Sequence, residues 1–530
     1  MNSNPSSPPK STLSSRSLAM KRLFRITVSS SERDVLVQFL KDAETETRGY
    51  ETEINKLKAA VVSLENKRDR LKKTMAKHRS LLSAIHKLPP EILREIFAFF
   101  CEENLLELSS TSSALFLSQV CGRWREIALS MPSLWSSVSI NLGDWKSDDC
   151  HRLRTVTQLF MGRSKTSPLS LAIDFDCQEG LEDEAVPVLD TLVAHSSRWQ
   201  RVALQGVRGA LRHPVFAPIK GVLPILTHLE LTGGTEDKNF EHSSDLFSVC
   251  PSLTSLIIEP SCPVGLNWDI PWQQIRNLEL QSAFSNGLSF IHCCHNIREL
   301  NTTYIGGRTY NDDHCILSST TKLTIMASGQ GEVSSVLHNC TLPQLASMEI
   351  RGGKPQPLQS WKIWAAKPLS DFLLRSSCHL TSLAFEWVPL SDEQAIDLLY
   401  SIPSLETLQI MEYRSTDDQA QNRIVTPTFL KELWVGNDWA VTPLLPKLHS
   451  LKLDVHGLSF DDKALVRAVT SRWLPDPECA SEGGIDCIRS VDVVFLEDGE
   501  HVERLHASLR WMGDAGAQVR IVARLPGEDE

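Results

Sequence analysis

Residues 448–453 read LHSLKL, with apolar side chains at Leu448, Leu451 and Leu453 and polar ones between them. The same spacing recurs as Leu226-Leu229-Leu231, Leu253-Leu256-Ile258, Ile275-Leu278-Leu280, Leu345-Met348-Ile350, Leu380-Leu383-Phe385, Leu405-Leu408-Ile410 and Leu430-Leu433-Val435. Weaker copies are Ile297-Leu300-Thr302, Thr320-Leu323-Ile325 and Ile488-Val491-Val493, and Val138, Leu171 and Val202 centre candidate earlier members. Middle residues 229, 256, 278, 300, 323 and 348 lie 22 to 27 residues apart, and 383, 408 and 433 continue the series after a gap of 35. A period of this size marks a repeat architecture. Each unit is a short strand whose apolar edge is buried only by stacking on its neighbours. The positions that do not define the pattern test it. Just before the middle residue, and one and three after it, eleven units supply 33 positions. Only six of these are apolar: Ile257, Met326, Ala384, Met411, Trp434 and Val494. A half-exposed strand requires that alternation.

These repeats resemble leucine-rich repeats, in irregular form because the usual asparagine or cysteine after the third apolar position is mostly missing. In a solenoid of that kind the outward positions line the concave face. Nine of them are acidic (Glu230, Glu259, Glu279, Glu299, Glu349, Glu386, Glu432, Asp454, Asp492) and three basic (Lys322, Arg351, Lys452). Glu230, Glu279, Glu299 and Glu349, with Met411 and Trp434 as apolar anchors, are the expected face for a protein substrate carrying a basic patch. The competing reading is that the acids keep a large surface soluble. Eleven strands about 4.8 Å apart make a surface on the order of 50 Å long, which suits a protein better than a small molecule.

Upstream, residues 85–135 concentrate apolar side chains in a short helical stretch. Pro89 and Pro90 suit a helix start, where fixed φ helps and the missing N–H costs nothing. Glu91 follows in the first turn, facing the positive end of the dipole. Ile92, Ile96 and Phe99 form one apolar line, and Leu93, Phe97 and Phe100 a second. One line packs the helix on its own module; two predict a second surface to cover. Leu117, Val120, Cys121, Trp124, Ile127 and Ala128 repeat at helical spacing farther on. The opening Leu88-Pro89-Pro90-Glu91-Ile92-Leu93, then Ile96-Phe97, and the closing Val120-Cys121-Gly122-Arg123-Trp124-Arg125 resemble the two ends of an F-box. The span is longer than usual, with the excess in the polar run Ser109–Ser113. The resemblance implies that Leu88, Pro89, Ile92, Leu93, Ile96, Val120, Cys121 and Trp124 meet a Skp adaptor and, through it, a cullin. The alternative is an ordinary helical hairpin with a wide apolar face.

Between Leu36 and Ile85 apolar residues alternate at spacings of four and three: Leu36, Leu40, Ala43, Thr47, Tyr50, Ile54, Leu57, Val61, Leu64, Arg68, Leu71, Met75, His78, Leu82 and Ile85. This is an a/d heptad register, and it predicts a coiled coil, with Arg68 and His78 as polar interruptions that fix register or oligomer state. Self-association through it is expected; the other reading is one amphipathic helix docked on its own chain. The last heptad runs directly into Leu88, which predicts a continuous lever. Lys67–Arg79 holds seven bases and one acid, read as a solvated face or a nuclear-localisation signal. Residues 1–31 carry five bases and no acid, read as a disordered tail or a transit peptide.

Net charge is −11, so no global case for nucleic-acid binding exists. No apolar run reaches the roughly 18 residues of a membrane span. The 13 cysteines include no CxxC pair, and Cys293-Cys294-His295 has no second half at zinc-like spacing. They read as thiols of a reducing compartment, cytoplasmic or nuclear. Phosphate-loop, HExxH and GxSxG patterns are absent. Asp312-Asp313-His314 and Asp461-Asp462 read as surface carboxylates. No cofactor, metal or catalytic residue is expected.

The fold class expected is α followed by α/β. A basic Ser/Pro-rich tail (1–31) precedes a coiled-coil helix (32–84), an all-α F-box (85–132), and a leucine-rich-repeat-like solenoid of parallel strands with helical or irregular returns (133–525). An acidic tail (526–530) closes the chain, and the strand–helix–strand run from Val491 to Ala523 is expected to cap the array. The order resembles that of a large family of fungal F-box proteins. It implies the non-catalytic substrate receptor of a Skp–cullin–F-box ubiquitin ligase. The alternative is a scaffold without ligase, in which the module only caps the array.

Overall fold

The computed structural model describes residues 29–524, apart from 107–112, 143–146, 176–184, 208–209, 233–244, 260–268, 282–290, 305–313, 354–360, 362, 413–422, 437–441, 457–459, 477–483 and 497–499. Residues 1–28 of the basic tail, Asp312-Asp313, the acidic tail and most of the long inter-repeat loops lie outside these residues. The chain divides into two units, Met1–Ile92 and Leu93–Glu530.

The first unit is dominated by helix α1 (Ser30–Leu81), 52 residues without a buried side chain. Its start is fixed locally: the Ser29 N–H donates to Glu32 Oε2 at 3.0 Å. The helix stops at Leu81, and Ala84–Lys87 forms a 3-10 turn. The continuous lever expected from the heptads is therefore not formed. Leu82 and Ile85, the last two seam positions, lie beyond the helix, and Leu88 is extended after the turn.

The boundary between the units falls inside the first helix of the helical module. Helix α2 (Pro90–Phe100) is followed by strand β1 (Asn104–Leu105), helix α3 (Ser113–Val120) and helix α4 (Gly122–Ser130). Then β2 (Ser137–Asn141), α5 (Ser147–Arg163), β3 (Leu169–Asp174), α6 (Val186–Val193) and β4 (Trp199–Gln205) continue the chain. Next come β5 (His228–Leu231), β6 (Ser255–Ile258), β7 (Asn277–Gln281), β8 (Glu299–Thr303), β9 (Cys315–Ile316) and β10 (Lys322–Ala327). The C-terminal part adds α7 (Gln330–Asn339), β11 (Cys340–Thr341), β12 (Ser347–Gly352), α8 (Lys367–Ser376), β13 (Ser382–Glu386), α9 (Asp392–Tyr400) and β14 (Thr407–Met411). It closes with α10 (Pro427–Glu432), β15 (Ser450–Val455), α11 (Asp462–Ser471), β16 (Ser490–Phe495), α12 (Glu500–Asp514) and β17 (Gln518–Ala523).

Among the described residues fifteen strands form one sheet in chain order, and β9 and β11 form a separate pair. The repeat middles sit on one ladder: Val138, Leu171, Val202, Leu229 and Leu256 face one another in succession. Leu278, Leu300, Leu323 and Met348 continue it, then Leu383, Leu408, Leu451, Val491 and Val519. Every described strand pair is parallel, so each return carries the chain back to the same end of the sheet. Inward residues are buried while their neighbours are half-exposed, as in Ser347–Gly352.

The returns differ in what they contain. Leu256, Leu278, Leu300 and Leu323 are 22 or 23 residues apart, and among the described residues their returns hold the 3-10 turns Trp272–Gln274 and Ile291–Cys293 and the short strand β9. Several units of 25 residues or more carry helices, some with start signals of their own. Ser391 caps α9, accepting from the Gln394 N–H at 3.2 Å, and Gln394 Oε1 accepts from the Ser391 N–H at 3.2 Å. This reciprocal pair satisfies two N–H groups that a helix start leaves open.

One repeat is corrected. Leu430-Leu433-Val435 is not a strand: Pro427–Glu432 is helix α10, and β14 pairs directly with β15. Thr426 accepts from the Phe429 N–H at 3.2 Å and Pro427 fills the first turn, so local start chemistry outweighs the apolar spacing. Leu430 and Leu433 are buried from the return layer instead.

Candidate functional site

The helical module is built around the second apolar line of α2. Leu93 and Phe97 are fully buried, and the Trp124 ring of α4 lies on Phe97 with centroids 4.9 Å apart. Ala114, Leu117, Ile127 and Ala128 complete the interior. Cys121 caps α4, its sulfur accepting from the Trp124 N–H at 3.5 Å, and Arg125 Nε donates to the Ser118 carbonyl at 2.9 Å. Trp135 ends the module, fully buried, with its indole N–H on the Ala128 carbonyl at 2.9 Å.

Asn104 locks this module to the sheet, a role with no signature in the residue pattern. Its amide Nδ2 donates to the carbonyls of Leu134 (2.8 Å) and Ser137 (3.0 Å), while Oδ1 accepts from the Ala114 N–H at 2.9 Å. The residue is fully buried. Its own strand, β1, pairs with β2, so the sheet begins between the helices of the module. A two-residue strand without alternation leaves no periodic signal.

The first apolar line points out. Ile96 is 42% exposed and Phe99 84%, and one turn earlier Ile92 is 47% exposed. Phe100 is also exposed, unlike the two residues it was grouped with. On α3, Phe116 (52%) and Val120 (49%) are open, four residues apart on one face. Small helical modules seldom leave this much large apolar surface uncovered, and such surfaces mark interaction sites.

Of the residues expected to meet an adaptor, Ile92, Ile96 and Val120 are accessible. Pro89 is exposed and Leu88 half-buried. Leu93 is corrected: buried in the core, it offers no outer surface. Trp124 and Cys121 are half-buried and act first on the module, as packing partner and cap. Phe99 and Phe116 were not among the expected residues; the i, i+4 pair Phe116–Val120 was the available signal.

A second candidate surface is the outward face of the sheet. Glu230, Glu279, Glu299 and Glu349 all project from strands there, half-buried. They divide into two groups. Glu349 accepts an ion pair from Arg351 at 2.7 Å, and Arg351 also reaches Glu386 at 3.2 Å. The other three are held by amides. Gln281 donates to Glu279 at 2.8 Å and Asn277 to Glu299 at 3.0 Å. Burial pushes the Glu230 carboxyl above its ordinary range, a hydrogen bond from Gln205 opposes this, and Glu279 adds to it. The N-terminal acids thus keep more of their negative field than Glu349 does. Met411 stays on this face. Trp434 does not: it follows α10, where the Arg467 guanidinium lies 4.1 Å from its ring. Glu432, inside α10, accepts from the Tyr400 hydroxyl at 3.1 Å.

Toward the C-terminus the same face becomes crowded. Asp454 is 1% exposed, its carboxylate receives no hydrogen bond from the described residues, and Arg524 approaches it at 3.7 Å. Burial pushes its carboxyl above the ordinary range, against the pull of Lys452 and Arg524. Behind the sheet, buried Arg472 donates from Nε to Leu433 (2.7 Å), from Nη1 to Leu445 (2.8 Å), and also to Leu444. Burial lowers its pKa to about 10. Its three carbonyl partners make it a brace for the irregular return. Among the described residues no group of three or more His, Cys, Asp or Glu is placed to hold a metal ion, and no helix is long and apolar enough to cross a membrane.

Comparison with known proteins places residues 85–141 in the F-box-like family model. No curated protein matches the chain. Among solved structures, the TLR13–ssRNA13 complex is similar at 12% identity and a TM-score of 0.32, over 74% of this chain and 52% of that one. The chain therefore spans about half the length of that relative. An internalin from Listeria monocytogenes is similar at 12% identity and a TM-score of 0.29, over 62% of this chain and 86% of the other. The chain carries an F-box-like domain at residues 85–141, followed by a leucine-rich-repeat-like array of parallel strands.

Proposed function

We propose that this protein is the substrate-recognition subunit of a Skp–cullin–F-box ubiquitin ligase and performs no bond chemistry itself. The observation that carries this reading is the outward line of Ile96 and Phe99, with Phe116 and Val120, on the segment that matches the F-box-like model. The Skp adaptor buries these side chains in an interface of standard size, about 1,200–2,000 Å². The outward face of the sheet holds a protein substrate, with Glu230, Glu279 and Glu299 attracting a basic segment. Holding substrate and ligase on one chain raises the local concentration of substrate lysines near activated ubiquitin.

The test is co-purification with a Skp adaptor. Wild-type protein is expected to bring down adaptor and cullin. Ile96→Asp/Val120→Asp, which alters only exposed positions, is expected to lose both while keeping the wild-type unfolding transition. No adaptor on a folded wild type would sink the ligase reading. A second reading has its own support: β1 and Asn104 tie the module to the first strands of the array. A scaffold whose module serves only as a cap would give the same captured proteins with and without the double substitution.

A further inference from the structure

We infer that α1 is one half of a parallel, in-register, two-stranded coiled coil, and that its partner is a second copy of this chain. A 52-residue helix is about 78 Å long, and α1 buries none of its side chains. Helices in water owe most of their stability to packing of an apolar face. The face is present and unused: Leu40, Tyr50, Ile54, Leu57, Val61, Leu64, Leu71 and Met75 are each between 45% and 64% exposed.

The side chains in the seam select the occupant. Reading Leu57, Leu64 and Leu71 as d places Ile54 and Val61 at a. β-branched residues at a with Leu at d favour two strands in a parallel dimer. The polar seam residues Thr47, Arg68 and His78 then meet only themselves. A shift by one heptad would set Arg68 against Val61 or Met75 and bury a guanidinium on apolar surface. In register, that cost is confined to one layer, where each Arg68 already pairs with its own Asp69 at 2.9 Å. The flanks do not drive association. Glu53 would face Lys58 of the second copy, but Glu46 would face Glu51, and Lys67 would face Lys72. Attraction resides in the apolar seam, so added salt should not dissociate the pair. A two-chain particle carries two arrays, which strengthens capture of a substrate with two sites.

The test uses the full chain in sedimentation equilibrium at micromolar concentration. Wild type is expected to sediment as two chains. Leu57→Asp/Leu64→Asp is expected to sediment as one, with the unfolding transition of the array unchanged. Val62→Asp alters an equally exposed apolar residue off the seam and should remain two chains. Leu40→Cys and Leu71→Cys, each alone, should cross-link between copies on oxidation, above the wild-type background. A monomeric or three-chain wild type, or a dimer that survives the double Asp substitution, would overturn the inference. So would cross-linking only when the two cysteine variants are mixed, which indicates antiparallel chains.

Discussion

Helix α1 and the sheet are both written as repeating apolar positions, yet they end in opposite states. In the sheet, the middle residues from Val138 to Val519 are buried or nearly so, each against the same position of the next repeat. In α1 the repeating residues are exposed, apart from half-buried Leu36 and Ala43. The difference lies in where the complement is. A strand repeat brings its partner on the same chain a fixed 22 to 43 residues away, so stacking is intramolecular. A heptad helix has no such copy of itself downstream. Among the described residues the chain has one heptad helix, and its complement must come from elsewhere. The line of Ile96 and Phe99 on α2 belongs with α1 in this respect, although Leu93 and Phe97 on the same helix belong with the sheet.

Substituting equivalent residues in the two regions separates them most strongly. Leu323→Asp puts an unpaired charge inside the ladder, and its cost is expected at about 4 kcal/mol or more. Because repeats are held by nearest neighbours, hydrogen exchange should lose protection first in β8, β10 and β12. Leu64→Asp on α1 should leave that protection unchanged. Equal loss from both would mean that α1 is packed on the array and would break the contrast.

Asn104→Ala comes next. It strips partners from two carbonyls and one N–H in a buried place, a cost of about 3 kcal/mol. The effect should appear as early melting of α3 and β2 with the C-terminal repeats intact. A uniform loss across the array would show that the module is not a separate stability unit at the first strands.

The smallest effect is in pH. Burial raises the Asp454 carboxyl above its ordinary value. Such a group lends its full stabilisation below the unfolded-state carboxylate range and loses it as pH rises through the raised folded value. Half-buried Glu412 and Glu386 act in the same direction, desolvation again being the main cause. The C-terminal repeats should therefore resist denaturant better at mildly acidic pH than at neutral pH. Asp454→Asn should flatten part of that dependence and raise the neutral midpoint. A neutral midpoint that falls would mean that the approach of Arg524 outweighs the burial.

Residue spacing alone determined most of the strands of the sheet and the register of their middle residues. Leu229, Leu256 and Leu278 could be placed on one ladder because a strand repeats every two residues and a solenoid repeats every unit. It also determined α1 and the two-lined face of α2, since helical periodicity is local. Periodicity does not say what fills the complement. Whether Leu93 or Ile96 faces inward on α2, whether Leu433 belongs to a strand or to the return behind it, and whether Trp434 sits on the open face were all decided in three dimensions. So was Asn104, which stands alone in the sequence and gains its role only when Ala114, Leu134 and Ser137 converge on it. Local patterns fix which side of an element is apolar; the choice among surfaces that can cover it depends on contacts between residues far apart in the chain, and only the folded structure makes that choice.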